Sequence, residues 1–233
     1  MKFSRNYDTI RGVSMEILKA MYERNSVRRY TDEPLKEEHI ISLNNFIEDI
    51  NRQSGLSFSL VTNEPEAFLG KMASYGHFSG CTDYIVCIGA KGKDEEIGYY
   101  GEKIVLFAQS IGINSCWVAL TYSRGKVRAS LKKGEKFYIV ISLGYGVHQG
   151  SPHKNKPLNE LCSCVGEMPE WFNNAMKAVF TAPTAMNQQK FHFSLNGENV
   201  RAKALLGPYS KMDLGIAKYH FELGADGHKF NWV

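Results

Sequence analysis

The sequence predicts an α+β fold: a central, mostly antiparallel sheet with helices packed on it. Two observations carry this. Stretches with helical spacing and stretches that read as strands are interleaved, without the strict strand–helix–strand alternation of a parallel sheet. The chain is also long and apolar enough for a sizeable core, with 233 residues, 43% of them hydrophobic and 22% charged. A globular chain of this size hides roughly 70% of its unfolded surface.

The elements follow in order. Residues 12–23 read as a helix, with Val13, Ile17, Leu18 and Met21 at helical spacing. They run into a basic turn over 24–30. Pro34 stands ahead of a second helix over 36–53, whose stripe is Ile40, Leu43, Phe46 and Ile47. Residues 56–62 read as a strand, 65–75 as a helix and 84–88 as a buried strand. A long helix covers 94–111 and stops at Gly112. Strands follow over 115–120 and 136–143. Residues 146–157, rich in Gly, Pro and polar side chains, read as a loop. A helix over 169–181, a turn over 182–186, an alternating strand over 190–195 and a helix over 210–224 complete the chain. No fixed-period repeat is visible in the sequence.

Charge and composition exclude several classes. A net charge of +4 is too slight and too scattered for a nucleic-acid surface and fits a small local anion site better. No apolar run exceeds five residues, against about twenty for a membrane helix. The N-terminal stretch lacks the apolar segment of a secretory signal. Five scattered cysteines suggest no disulfide framework, so the expected compartment is the cytoplasm. Cys162-x-Cys164 lacks a second Cys/His pair at zinc-like spacing, and no metal site is expected. The histidines show no ligand spacing and are expected at the surface.

Two segments carry chemistry. Arg24-Asn25-Ser26-Val27-Arg28 ends a helix with two guanidiniums and a hydroxyl that can converge on a phosphate, since arginine's planar fork matches phosphate oxygens. Taken alone, it reads more readily as a solvated basic helix end. Ala182-Pro183-Thr184-Ala185-Met186-Asn187-Gln188-Gln189 gathers hydroxyl and carboxamide groups able to read the edge of a heterocycle. Alone, it reads as a turn whose side chains bond their own backbone.

Together these segments resemble the signatures of the nitroreductase family, an Arg-x-Ser-x-Arg phosphate turn and a Pro-Ser-Ala-x-Asn-x-Gln turn. Two further stretches are similar. Residues 98–120 look like the family's long central helix and the strand beside the flavin. Leu143-Gly144-Tyr145-Gly146 is followed by a basic tail, His153-Lys154-Asn155-Lys156-Pro157. The resemblance implies FMN as cofactor and NADH or NADPH as co-substrate, with hydride passed to a small electron-poor acceptor such as a nitro compound or quinone. It implies that Arg24, Asn25, Ser26 and Arg28 hold the phosphate. Pro183, Thr184, Asn187 and Gln189 would approach the ring or ribityl chain, Trp117, Val118, Ala119 and Leu120 would lie near flavin N5, and Lys154 or Lys156 would add positive charge. Because the hydride step needs no dedicated acid or base, no catalytic side chain is expected.

The sequence departs from the family in one informative way. The two signature turns, a few dozen residues apart in ordinary members, here stand at opposite ends of the chain. That resembles the branch in which a two-subunit arrangement is merged in one polypeptide, giving a single domain over 1–233 with pseudo-symmetric lobes 1–164 and 165–233 that acts as monomer or homodimer. Three rivals remain at this level: a non-catalytic flavin-binding, storage or sensing protein; a flavin-destroying or dehalogenating member of the same fold; and, less well matched by the mild charge, an anion- or nucleic-acid-binding module using Arg24, Arg28 and Arg29.

Overall fold

The computed structural model describes residues 15–233. The first helix, α1, covers 15–23 among them, and its expected beginning at residue 12 lies outside the described residues. α2 (Glu37–Ser54) buries Leu43, Ile47 and Ile50. It ends at Gly55, whose φ of 68° lets its N–H return to the Asn51 carbonyl. The strands β1 (Ser57–Val61), β2 (Asp83–Ala90), β3 (Asn114–Val118) and β4 (Glu135–Gly144) form one sheet in the order β1-β2-β4-β3, antiparallel throughout.

β2 and β4 are buried along nearly their whole length because both faces of this sheet are covered. The two-residue period of a strand divides their side chains. Ile85, Cys87, Ile139 and Ile141 face α2 and the long helix α4 (Asp94–Ser110). Tyr84, Val86 and Val140 face the opposite way, against Val27, Tyr30, Phe68 and Phe78. The last two come from the segment between β1 and β2. The single helix expected over 65–75 is there a 3-10 turn (Glu66–Phe68) and a short α3 (Lys71–Tyr75), broken at Gly70, whose φ of 108° no helix accommodates.

A second four-stranded sheet accompanies the first. Its strands are β5 (Cys162–Cys164), β6 (Phe191–Asn196), β7 (Asn199–Ala204) and β8 (Asn231–Trp232), adjacent in that order. β6 and β7 form an antiparallel hairpin around Gly197, and β5 and β8 add parallel edges. A short α5 (Leu158–Leu161) leads into β5. β5 therefore belongs with the strands beyond residue 165, although a division at 164/165 would separate it from them. Phe191, Phe193 and Leu195 alternate inward, onto α6 (Glu170–Val179) and α7 (Ser210–Gly224).

α4 and α7 join the two halves by crossing at glycines. A Cβ on Gly98 would overlap the Met212 carbonyl, and one on Gly215 would overlap the Glu95 carbonyl. Each contact lies three residues back from the other helix's glycine, so the crossing is symmetric. The chain order is symmetric too: α2–β1–β2–α4–β3 and α6–β6–β7–α7–β8 are each helix, antiparallel strand pair, helix, strand. The repeat is one of topology, without a sequence period. Among the described residues no helix is long and apolar enough to cross a membrane.

Candidate active site

After α1 the chain runs extended against the edge of the first sheet. Ser26 bridges Ser115 in β3, and the Val27 N–H donates to the Ser115 carbonyl at 3.0 Å. Val27 is fully buried, and the Tyr30 hydroxyl fixes the turn by donating to the Val27 carbonyl at 2.7 Å. Ser26 and Arg28 line a cavity of about 550 Å³. Asn25 is used otherwise: its Nδ2 donates to the carbonyls of Glu23 and Gln149, both at 3.2 Å.

The second turn, between α6 and β6, closes the other wall. Pro183, Thr184, Ala185 and Met186 line the same cavity. The turn is strained, since Met186, Asn187 and Gln189 all have left-handed φ values of 45–52°. That geometry turns the Asn187 and Gln189 side chains away from the cavity. Asn187 Nδ2 donates to the Lys154 carbonyl at 2.7 Å. Gln189 Nε2 donates to the same carbonyl at 2.9 Å, and its Oε1 accepts the Lys156 N–H at 2.9 Å. The two carboxamides thus fasten the 153–157 tail. Lys156 Nζ is directed to the Gln189 carbonyl at 3.4 Å, and neither Lys154 nor Lys156 is among the cavity-lining residues.

Between the two turns, Trp117, Val118, Ala119 and Leu120 line the cavity as β3 leaves the sheet. Sequence reasoning missed the rest of the wall. Met72 and Tyr75 come from α3, and Tyr209, Met212, Asp213 and Ile216 from the start of α7. Nothing in their local sequence marks them; the α4–α7 crossing brings in Tyr209, Met212, Asp213 and Ile216. Asp213 is 3% exposed. Its Oδ1 accepts the Ala185 N–H at 3.0 Å and its Oδ2 accepts Gln188 Nε2 at 3.1 Å. Burial pushes its carboxyl up to about 6, against the lowering effect of those two hydrogen bonds.

Arg24 does not line the cavity but lies in a buried polar network. Its Nε is 3.7 Å from Glu102 Oε1, and its Nη2 is 3.4 Å from the Thr181 carbonyl. Glu102, fully buried in α4, accepts the Trp117 indole N–H at 2.8 Å and lies 3.0 Å from His220 Nε2. His220 Nδ1 lies 2.8 Å from the Thr181 hydroxyl. His220 is thus fully buried, contrary to the expected surface placement, because α7 carries it onto the α4 carboxylate. His153 is half-buried, its imidazole held below the usual range by burial and by the Arg24 charge. Arg24 Nε and Nη1 and His153 Nε2 are buried without a hydrogen-bond partner. Cys116 lies behind Ser26, and burial raises its thiol despite the opposing pull of Arg28 and Ser26. It is therefore an inert packing residue rather than a nucleophile.

The family model described as "Putative TM nitroreductase" matches residues 16–225. A solved structure described as a "putative nitroreductase", from Thermotoga maritima, superposes with a TM-score of 0.65 at 21% identity, covering 89% of this chain and 82% of its own. Its fold is the α+β arrangement described above. A nitroreductase of the same description in complex with FMN, from Desulfovibrio desulfuricans, has a TM-score of 0.49 at 22% identity, covering 66% of this chain and 96% of its own. An FMN-dependent nitroreductase from Clostridium difficile has a TM-score of 0.46 at 18% identity, with coverages of 58% and 91%. Comparison with curated proteins gives no match. The family match spans both signature turns and the helices that bring them to one cavity, and the chain belongs to the nitroreductase family.

Proposed function

We propose that the cavity between the two turns binds FMN and that the chain is an NAD(P)H-dependent flavin reductase. The carrying observation is that residues from opposite ends of the sequence, Ser26 and Arg28 on one side and Pro183 and Thr184 on the other, line one cavity. Its volume falls within the range of about 300–1,000 Å³ common to small-molecule sites. The residues present fit the cofactor. Ser26 and Arg28 offer a hydroxyl and a guanidinium to a phosphate. The Arg24 guanidinium behind them keeps its Nε and Nη1 buried without a hydrogen-bond partner, the kind of orphaned donor an anion would satisfy.

When bound, FMN supplies the two-electron chemistry, accepting hydride from NADH or NADPH and delivering it to an electron-poor acceptor such as a nitro compound or quinone. The chain's part is to bind and orient. Residues 117–120, which line the cavity, would lie beside the flavin, and Arg28 would supply positive charge to it. Met72, Tyr75 and Met186 offer an apolar, partly exposed wall to a planar acceptor. One polypeptide supplies both walls, so flavin binding requires no second copy.

Purified protein should carry flavin, identified by its visible absorbance, and NADH or NADPH should bleach it under anaerobic conditions. Bound flavin that neither nicotinamide reduces would instead make this a flavin-binding protein, and failure to bind FMN would overturn the proposal. Arg28→Ala should weaken FMN by about 1.5–3 kcal/mol, the scale of a charge-assisted hydrogen bond. It should weaken riboflavin much less, as measured by fluorescence titration.

A further inference from the structure

Asp213 is an expensive residue to keep where it is. It is 3% exposed and makes no ion pair among the described residues. Its two partners are a backbone N–H and a carboxamide, both belonging to the turn that walls the cavity. Around it, the turn presents Ala185 and Gln188 and no charged side chain. The cavity it shares contains one cation, Arg28, and its own helix contributes the Tyr209 hydroxyl at the first turn. Gln188 is clamped from the other side as well, donating to the Pro208 carbonyl at 2.5 Å.

We infer that Asp213 is the positioning residue of the cofactor-bearing turn, its ionised carboxylate holding residues 185–188 in the shape that receives the flavin. The inference rests on the FMN reading above. Both hydrogen bonds favour the ionised form. Both groups facing the carboxylate are donors, so the two bonds use two acceptor oxygens. Protonation removes the charge that strengthens both bonds and leaves the protonated oxygen a poorer acceptor. Gln188 cannot compensate by flipping its amide, because its oxygen would then face the Pro208 carbonyl. The turn has little reserve, with left-handed φ at Met186, Asn187 and Gln189. Weakening both pins should let it relax away from the cavity. Burial places this titration near pH 6, within a range easily examined, and flavin binding to the ionised form should release a proton from the protonated one.

The test is fluorescence titration of apo-protein with riboflavin between about pH 5 and 8. Riboflavin is the probe because the phosphate of FMN itself titrates near pH 6. Affinity of the native chain should fall about tenfold as pH drops through that range. Asp213→Asn keeps one acceptor and loses the charge. It should bind riboflavin weakly and with no pH dependence, while thermal unfolding reports that it is folded. A merely structural Asp213 would change stability and leave the pH profile of binding in place. Gln188→Leu is the second variant: with one stabilising donor gone, the midpoint of the profile should move to higher pH. A native profile that is flat, an Asp213→Asn profile that still titrates like the native one, or a Gln188→Leu midpoint that stays or moves down overturns the inference and leaves FMN binding intact. If neither riboflavin nor FMN binds at any pH, the flavin reading fails and this inference with it.

Discussion

Asp213 and Glu96 occupy matching places on the two helices that cross at the centre of the molecule. Each stands two residues before the glycine at the crossing, Gly215 in α7 and Gly98 in α4. Their surroundings are opposite. Burial alone would raise Glu96, but the hydrogen bond and charge of Lys93, 2.7 Å away, lower it overall. Asp213 has no such cation and is raised to about 6. The same contrast extends outward. On the Glu96 side, charges pair near the surface: Lys218 with Glu95 at 2.7 Å, and the Tyr99 hydroxyl and Trp232 indole with Glu222 at 2.5 and 2.9 Å. Aromatic rings fill the remaining space. On the Asp213 side, Asp213 and Glu102 are buried, Arg24 keeps unpartnered donors, and a cavity opens beside Asp213. One side of the crossing pairs its charges near the surface, and the other keeps a buried carboxylate at a largely apolar cavity.

Removing Glu102 should break this contrast most severely. Its carboxylate is the buried counter-charge of Arg24 and a shared partner of Trp117 and His220. Glu102→Ala leaves a buried guanidinium without its anion, which typically costs about 3–5 kcal/mol. Urea unfolding measures the loss. A drop below about 1 kcal/mol would mean that Arg24 reaches water easily and that the network is no buried charge cluster.

The next largest effect lies in the pH dependence of stability. The folded-state carboxyl of Asp213 is raised to about 6 from an ordinary 3.8, so between these values the folded chain binds more protons than the unfolded one. Stability from this group therefore falls as pH rises through that window, by about 3 kcal/mol in all. Asp213→Asn should flatten this part of the stability-versus-pH curve, and an unchanged slope would show that Asp213 is solvated when folded. Gly98→Ala and Gly215→Ala come next. Each added methyl meets a backbone carbonyl of the opposite helix, and such overpacking costs about 1–3 kcal/mol. The two losses should be similar, whereas Gly125→Ala, with open space around it, should stay within about 0.5 kcal/mol of the native chain. Unequal losses would show that the crossing is symmetric in geometry but not in energy.

What the sequence made legible follows the same divide. The long elements α2, α4, α7, β2 and β4 were readable because each buries a regular face. Of the second sheet only β6, with its alternating apolar residues, was. β7 alternates Val200, Ala202 and Ala204 with polar residues, and only Val200 is fully buried. β5 and β8 are three and two residues long, too short for a period to register. The topological repeat left no sequence period because its two copies bury different partners. At the site, the 24–28 and 183–189 turns stood out by composition. The directions of their side chains did not, since left-handed φ at 186, 187 and 189 decides where Asn187 and Gln189 point. Asp213 looks in sequence like any acidic residue in a first helical turn. Its burial is a consequence of the crossing with α4.

The smallest prediction completes the comparison. Glu96→Gln removes a carboxylate from the position in α4 that Asp213 holds in α7, and it deletes the ion pair with Lys93. Both side chains of that pair are well exposed, at 39% and 46%, so solvent screens most of the attraction and the pair contributes about 0.2–1 kcal/mol. Glu96 is lowered when folded, so its contribution is present above the ordinary carboxylate range and is lost as pH falls through the folded value. Its sign is therefore opposite to that of Asp213. Comparing Glu96→Gln with Asp213→Asn should give a small loss of stability at neutral pH from the first and relief of a pH-dependent penalty from the second. Added salt should erase the Glu96 effect, because an exposed pair is screened within a Debye length of about 8–10 Å, and leave the Asp213 effect largely in place. If salt removed both alike, the two carboxylates would be equally solvated and the asymmetry across the crossing would disappear.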